Sequence, residues 1–356
     1  MSDVTLAQRL TPTVVSEADD AGTVLVVAQT LLLAGTALAF FVQSVWTTPL
    51  LVAFLLVAGV TWVLRQAVAA RLLTFLMTIS TVLTLGLIAI FLFLEALPAF
   101  ELMGVRILLP LPGEMWDPGS NVFSLVPMIW GTAITTFVAT LVAAPLGIAG
   151  ALYISEIAPG WVREFVKPGV EILAGVPSIV YGFIGFTIIN PYVSSELSAG
   201  FGALLAIGIV IGLMALPTVV SVAEDAISTV PEAMKSGSLA TGATDWQTMK
   251  SVTIPAAFSG VSAAVLLGIG RAMGETMAAT VMIAHAQELP QPFYDVFDST
   301  ETLTSLIAGN FGPAVGTEFY LSALFAAGVV LFVIVTGLSI VSQLIEERMK
   351  RKLGGK

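Results

Sequence analysis

The chain has 356 residues, of which 57% are hydrophobic and only 11% are charged. Soluble domains carry about 25% charged residues on average, so this composition excludes an ordinary water-soluble fold and predicts several membrane-spanning helices. The sequence has no cysteine and one histidine, which excludes disulfides, thiolate metal sites and a zinc site built on paired histidines. A net charge of −10 argues against nucleic acid as a partner.

Runs of about 20 largely apolar residues predict spanning helices. The chain contains eight such runs, at residues 23–42, 45–64, 72–94, 125–154, 170–189, 201–222, 256–284 and 320–341. We therefore predict an all-α polytopic membrane protein with about eight transmembrane helices. The predicted organisation is an N-terminal tail (1–22), three N-terminal spans (23–98), an extracytoplasmic loop (99–124), a core of five spans (125–345) and a basic C-terminal tail (346–356).

The positions of the basic residues predict the orientation of these spans. If both termini are cytoplasmic, 12 of the 14 Lys and Arg residues lie on the cytoplasmic side, while Arg106 lies outside and Arg271 lies within a span. This is the bias that the positive-inside rule describes. We therefore predict a multi-pass protein with both termini in the cytoplasm.

The longest cytoplasmic connection, 223–255, has the turn chemistry of two short helices. The T-V-P-E run at 229–232 and the T-D-W-Q run at 244–247 both read as capping boxes that start a helix. Gly242 lies between them, where a residue without a Cβ is easily accommodated. Pro255 is expected to end the second helix and to lead into the seventh span.

This connection resembles the EAA loop of binding-protein-dependent ABC import permeases. The resemblance rests on S-G-S-L-A-T-G at 236–242, followed after nine residues by V-T-I-P at 252–255, although the family's Glu-Ala-Ala is here Ser-Gly-Ser. In that family the loop forms a coupling helix that docks on a cytoplasmic ATPase. The resemblance implies an ATPase-coupling role for Ser238, Ala240, Gly242, Asp245 and Pro255.

Three further stretches are similar to the phosphate-uptake permeases of PstC type. They are P-L-G at 145–147 with Y-I-S-E at 153–156, E-I-L-A-G-V-P-S-I-V-Y-G at 171–182, and R-A-M-G-E-T-M-A at 271–278. The similarity covers roughly residues 123–351. It implies a type I ABC importer permease core in the plasma (cell inner) membrane and the transport of inorganic phosphate. That family usually has six spans, so the first two here are additional.

The sequence has no G-x-x-x-x-G-K-[ST] motif, so ATP binding of the P-loop kind is not expected in this chain. The resemblance implies a transport subunit embedded in membrane lipid that is not itself an enzyme and carries no cofactor. ATP would be bound by a partner. The implied partners are a second permease of PstA type, an ATPase dimer of PstB type and an extracytoplasmic phosphate-binding protein that docks on the acidic outer loops.

Arg271 and Glu275 are strong charges in the predicted seventh span, and their spacing of four residues predicts that they share one helix face and reach each other. A central arginine costs about 2.5–3.5 kcal/mol on insertion scales, so such residues usually face a bundle interior or an aqueous path. The functional hypothesis is that Arg271 attracts an anion while Glu275 holds the arginine when the path is empty. The alternative is a self-neutralised pair that only fixes helix packing. The resemblance places both residues in the phosphate pathway.

The G-V-P-S run at 175–178 interrupts the predicted fifth span, because its proline frees a backbone carbonyl. Ser178 and Tyr181 are candidates for lining the substrate path there, and a packing kink is an equal alternative.

Three alternative functions bear on this interpretation. The substrate could be another oxyanion, such as sulfate, molybdate or tungstate. An intramembrane protease would need a Ser–His or paired-aspartate arrangement within the spans, which the sequence lacks, so no catalytic residue is predicted. A structural or sensory subunit would leave the ATPase-docking loop without a purpose.

Overall fold

The structure is a computed structural model that describes residues 20–352. In chain order its α-helices are α1 (Asp20–Phe41), α2 (Thr47–Leu64), α3 (Gln66–Met103), α4 (Val126–Leu152), α5 (Gly160–Ala174), α6 (Ser178–Ile184), α7 (Asn190–Leu197), α8 (Leu204–Ser228), α9 (Glu232–Ala240), α10 (Asp245–Thr248), α11 (Ile254–Met273), α12 (Met277–Met282), α13 (Leu303–Ala314) and α14 (Glu318–Lys352). A 3₁₀ helix covers Gly104–Leu108, and π-helical turns cover Tyr153–Ile157, Gly185–Ile189 and Met249–Thr253. Strands β1 (Trp116–Asp117) and β2 (Val122–Phe123) pair antiparallel, with Trp116 opposite Phe123.

The predicted all-α membrane architecture is confirmed. Within residues 20–352, seven helical segments are long and apolar enough to cross a membrane, and an eighth is reached if a bent pair of helices counts as one span. The predicted N-terminal tail, 1–22, falls largely outside the described residues, as do the last four residues of the predicted C-terminal tail, 346–356. Helix α1 already begins at Asp20, and α14 continues to Lys352 without a break at 346.

The predicted fifth span, 170–189, is wrong as a single helix. Helices α5 and α6 are related by a bend of 90°. Helix α5 ends at Ala174, and Pro177 occupies the N-cap position of α6. A proline has no N–H to continue a helical ladder, so the run 175–177 separates two helices instead of kinking one.

The predicted seventh span, 256–284, is wrong at both ends. Helices α10 and α11 are joined by the π turn Met249–Thr253 into one helical run, and Pro255 lies in the first turn of α11, where proline is tolerated. Pro255 therefore does not end a helix. At the other end α11 stops at Met273, and the chain resumes as α12 only at Met277.

The chain divides into two compact units, 1–91 and 92–356, and within the described residues the first holds a helical hairpin of α1 and α2. Gln29 is fully buried, and its Nε2 donates to Thr61 Oγ1 at 2.5 Å. Hydrogen bonds of this kind join helices where the surroundings offer no hydrophobic driving force.

The second unit contains the packed core. Helix α8 crosses α4 closely because its G-x-x-x-G glycines leave room: a Cβ on Gly208 would lie 2.6 Å from Val138 Cβ, and one on Gly212 would lie 2.8 Å from Val142 Cβ. Ser322 of α14 inserts into the ladder of α3 next to Pro98, where its hydroxyl accepts from Ala99 N and donates to Glu95 O.

This unit has two ends of different structure. The hairpin end carries β1, β2 and the connection 283–302, whose backbone carbonyls at Val296 and Asp298 accept hydrogen bonds from the first N–H groups of α8. The α9 end carries α9, α10 and the π turn that follows α4. The two ends lie at opposite termini of α4 and α8, which span the unit between them.

Candidate functional site

Arg271 lies in the last turn of α11. Its side chain lines a cavity of about 550 Å³ between α8, α11 and α14. Its Nη1 donates to Thr218 Oγ1 of α8 at 3.3 Å. The lining is Thr218, Ala263, Leu266, Leu267, Gly270, Arg271, Val335, Leu338, Ser339, Ser342 and Gln343. Arg271 is thus the charged side chain in a wall that otherwise offers hydroxyl, amide and apolar groups.

Glu275 lies beyond the end of α11 and does not pair with Arg271 in the described part of the chain. Its Oε1 accepts a hydrogen bond at 3.1 Å from Ala278 N, in the first turn of α12. Its backbone carbonyl accepts from Thr304 Oγ1 at 2.7 Å. The expected (i, i+4) contact is wrong because the α-helix on which it depends stops at Met273.

Ser178 and Tyr181 lie on α6 and are not among the residues that line the Arg271 cavity. The Tyr181 hydroxyl donates to Leu173 O at 3.1 Å and bridges the break between α5 and α6. Gly182 brings α6 against α12, since a Cβ there would lie 2.8 Å from Ala278 Cα. The two interrupted spans therefore contact each other beside their breaks.

The predicted coupling loop forms two helices with a turn between them, as expected. The capping box of α10 is confirmed: Thr244 Oγ1 accepts from Gln247 N, and Gln247 Oε1 accepts from Thr244 N. The capping box at Thr229 is wrong, because Thr229 ends α8 and Pro231 occupies the N-cap of α9. Proline fixes the entry into α9 without any side-chain cap.

Of the other residues assigned to this loop, Ser238 accepts a hydrogen bond from Thr248 Oγ1 at 2.9 Å and ties α9 to α10. Ala240 is the last residue of α9, and Asp245 is the first of α10. Helix α9 contains no buried residue. Trp246 is 65% exposed and Met234 48% exposed. The described part of the chain therefore leaves the outer surface of α9 and α10 uncovered.

Gly242 has a φ of +88°, a conformation that costs L-residues about 1–2 kcal/mol. We expect Gly242→Ala to open the turn, with amide hydrogen exchange across 241–248 faster by about tenfold. Hydrogen–deuterium exchange with mass spectrometry on the purified chain measures this. The matched control is Gly237→Ala, whose Cβ would meet nothing within 4 Å. Equal exchange in the two variants would contradict the role assigned to Gly242.

A second cavity, of about 940 Å³, lies at the α9 end. Its lining includes Glu156 of the π turn after α4, Arg163 of α5, Lys235 of α9, and Asp245 and Trp246 of α10. Lys235 Nζ is 2.6 Å from Glu156 Oε1, and both side chains are largely buried. Sequence reasoning missed this ion pair because its members are separated by 79 positions.

At the hairpin end, Glu301 is fully buried and its Oε1 lies 2.7 Å from His285 Nδ1. Burial raises the pKa of the Glu301 carboxyl, while the hydrogen bonds from His285 and Gln287 act in the opposite direction. His285 therefore holds a buried carboxyl in place. Within the described residues, no group of three or more His, Asp or Glu side chains is placed to hold a metal ion.

Comparison with known proteins identifies the family. Residues 143–351 match the family described as binding-protein-dependent transport system inner membrane component. The chain is 40% identical over 249 residues to the probable ABC transporter permease protein YqgH of Bacillus subtilis, which covers 69% of this chain and 80% of that protein. It is 34% identical over 271 residues to the phosphate transport system permease protein PstC of Mesorhizobium japonicum, with 70% and 80% covered.

A solved structure supports the fold independently. The chain is similar to a subunit of the bacterial alginate ABC transporter in complex with an alginate pentasaccharide-bound periplasmic protein, with a TM-score of 0.53, 16% identity, and 82% of this chain and 98% of that chain covered. Identity this low shows the fold alone, which is that of a type I ABC importer permease. The resemblance to import permeases is therefore confirmed, and the chain belongs to the family of binding-protein-dependent transport system inner membrane components, as a multi-pass membrane permease similar to PstC.

Proposed function

We propose that this chain is one of two permease subunits of an ATP-driven importer of inorganic phosphate. The observation that carries the proposal is the position of Arg271, a guanidinium at the wall of a cavity between three spanning helices in a chain related to a phosphate permease. A guanidinium donates two hydrogen bonds at once to an oxyanion. The hydroxyls of Ser339 and Ser342 and the amide of Gln343 supply further neutral partners.

The substrate would need to be held without being trapped. Arg271 is bonded to a neutral hydroxyl, that of Thr218, and not to a carboxylate in the described structure. An arriving phosphate would therefore displace a weak hydrogen bond and not an ion pair. This supports transient binding, which a transport path requires.

We further propose that the exposed surface of α9 and α10 docks on a partner ATPase, which supplies the energy for transport. The uncovered Trp246 and Met234 support this, since aromatic residues and Met are enriched at protein interfaces. The α9 end would then face the cytoplasm, in agreement with the positions of Lys and Arg. The opposite, hairpin end would meet an extracytoplasmic phosphate-binding protein, and a second permease of PstA type would complete the path.

ATP-dependent uptake of labelled phosphate tests the substrate. We expect cells or proteoliposomes that contain this chain with its partner permease, ATPase and binding protein to take up phosphate, and an excess of unlabelled sulfate or molybdate to leave the uptake unchanged. Inhibition by either anion would retain an oxyanion importer but move the substrate away from phosphate. No uptake by an assembled complex would contradict the proposal.

A further inference from the structure

Few polar side-chain contacts attach helix α9 to the rest of the described residues. It contains no buried residue. Across the described residues, two hydrogen-bonded or ion-paired side chains of α9 reach other elements: Ser238 contacts Thr248, and Lys235 contacts Glu156. Thr248 belongs to α10, which is part of the same loop. Within the described residues, the Lys235–Glu156 pair is therefore the polar side-chain contact between α9 and the end of α4, a spanning helix that is not adjacent to α9 in the sequence.

This ion pair is partly removed from water. Lys235 Nζ and Glu156 Oε1 are 2.6 Å apart, with 13% and 12% of the two side chains exposed. A pair at this depth is screened far less than a surface pair, and loss of one partner leaves the other charge without compensation. The contact therefore resists separation when α9 is displaced.

Glu156 is held in place by the hydrogen-bonded turn that carries it. It lies in the π turn Tyr153–Ile157 that continues α4. Two carbonyls of this turn, Ile154 O and Ser155 O, accept hydrogen bonds from the Arg163 guanidinium. The turn directly follows the C-terminal end of α4, and α4 packs against the face of α8 that carries Gly208 and Gly212. A force on Glu156 is thus applied to the α4–α8 core.

We propose that Lys235 and Glu156 form a strut that transmits the motion of α9 to the spanning core. The inference rests on the proposed function, in which a partner ATPase moves α9. The two residues are positioning residues: they contact neither substrate nor nucleotide, and they act by making the end of α4 follow α9. Without the strut, α9 would move relative to the core, and ATP would be hydrolysed with less substrate transported.

The test is the amount of phosphate transported per ATP hydrolysed in proteoliposomes that contain the complete transporter. We expect Lys235→Gln and Glu156→Gln each to lower this ratio about fivefold or more, the size of a typical coupling between sites, while ATP hydrolysis continues. The exchanged pair, Lys235→Glu with Glu156→Lys, is expected to recover at least half of the ratio. Lys250→Gln is the matched control, because Lys250 is an exposed lysine of the same loop.

An unchanged ratio in both single variants would overturn the strut, as would an exchanged pair no better than the single variants. If the Gln variants fail to assemble, Lys235→Arg decides: it keeps the charge and is expected to retain the ratio, and a loss there contradicts the proposal. Stimulation of ATP hydrolysis by the binding protein is measured in the same vesicles. A wild-type complex that shows this stimulation without phosphate uptake contradicts the substrate assignment, and the strut is then judged by whether Lys235→Gln weakens the stimulation.

Discussion

Arg271→Gln is expected to reduce phosphate uptake by about a hundredfold or more, because two charge-assisted hydrogen bonds of about 1.5–3 kcal/mol each are lost together. Glutamine keeps a hydrogen-bonding amide but removes the charge that would attract an anion into a cavity with apolar walls. Arg271→Lys is expected to retain part of the uptake, since it keeps the charge and loses the planar fork. The measurement is the initial rate of labelled phosphate uptake at several phosphate concentrations.

The control for this prediction is Arg348→Gln, the same substitution at an exposed position near the end of α14. It should leave uptake within about twofold of the wild type, as surface changes usually do. Equal assembly of both variants with the ATPase has to be shown by co-purification. Normal uptake by an assembled Arg271→Gln complex would remove Arg271 from the phosphate path.

The spanning segments could be predicted from the sequence because apolar length is a local property. The breaks within them could not. Residues 175–177 and 274–276 interrupt helices inside apolar runs, and hydropathy is the same whether such a run continues or bends. Pro177 gave a signal for the first break. The second break is marked in the sequence only by Gly274, and glycine is also common within membrane helices. The predicted Arg271–Glu275 contact failed for this reason.

A capping pattern in the sequence predicted the start of a helix correctly only where the preceding helix did not extend into the pattern. Thr244 and Thr229 begin similar four-residue patterns, yet Thr244 caps α10 while Thr229 ends α8. The difference is that α8 is a long packed helix that continues through 228, so its last turn takes the residue that the pattern assigns to the next helix. The proline at 231 then starts α9 by its fixed φ.

The contacts that hold the functional surfaces are long-range, and sequence spacing does not show them. Glu156 and Lys235 meet across 79 positions, and Lys167 and Glu224 meet across 57. His285 and Glu301 flank a connection whose fold depends on carbonyls that cap α8. In each case the sequence shows ordinary polar or charged residues whose spacing does not pair them. At the α9 end, the packing of α4, α5 and α8 brings these charges together as partners.

Helix α4 approaches the connection 283–302 closely at Gly131, so a larger residue at this position is expected to lower the stability of the protein. A Cβ on Gly131 would lie 2.3 Å from the backbone carbonyl oxygen of Glu301 and 3.0 Å from Thr300 Cγ2. Because the first of these atoms belongs to the backbone, Gly131→Ala must push the connection away from α4.

That displacement strains the adjacent hydrogen bonds, from Glu301 N to Ala286 O at 2.8 Å and from Leu303 N to Thr132 Oγ1 at 2.9 Å. Overpacking of about 1–3 kcal/mol and a weakened hydrogen bond of about 1 kcal/mol predict a melting temperature lower by on the order of 5–10 °C in detergent. Gly337→Ala in α14 is the matched control, since its Cβ would meet nothing within 4 Å. Alanine there should leave the melting temperature unchanged or slightly raised, because it is the better helix former. If both variants melt at the wild-type temperature, the contact between Gly131 and Glu301 does not support the hairpin end.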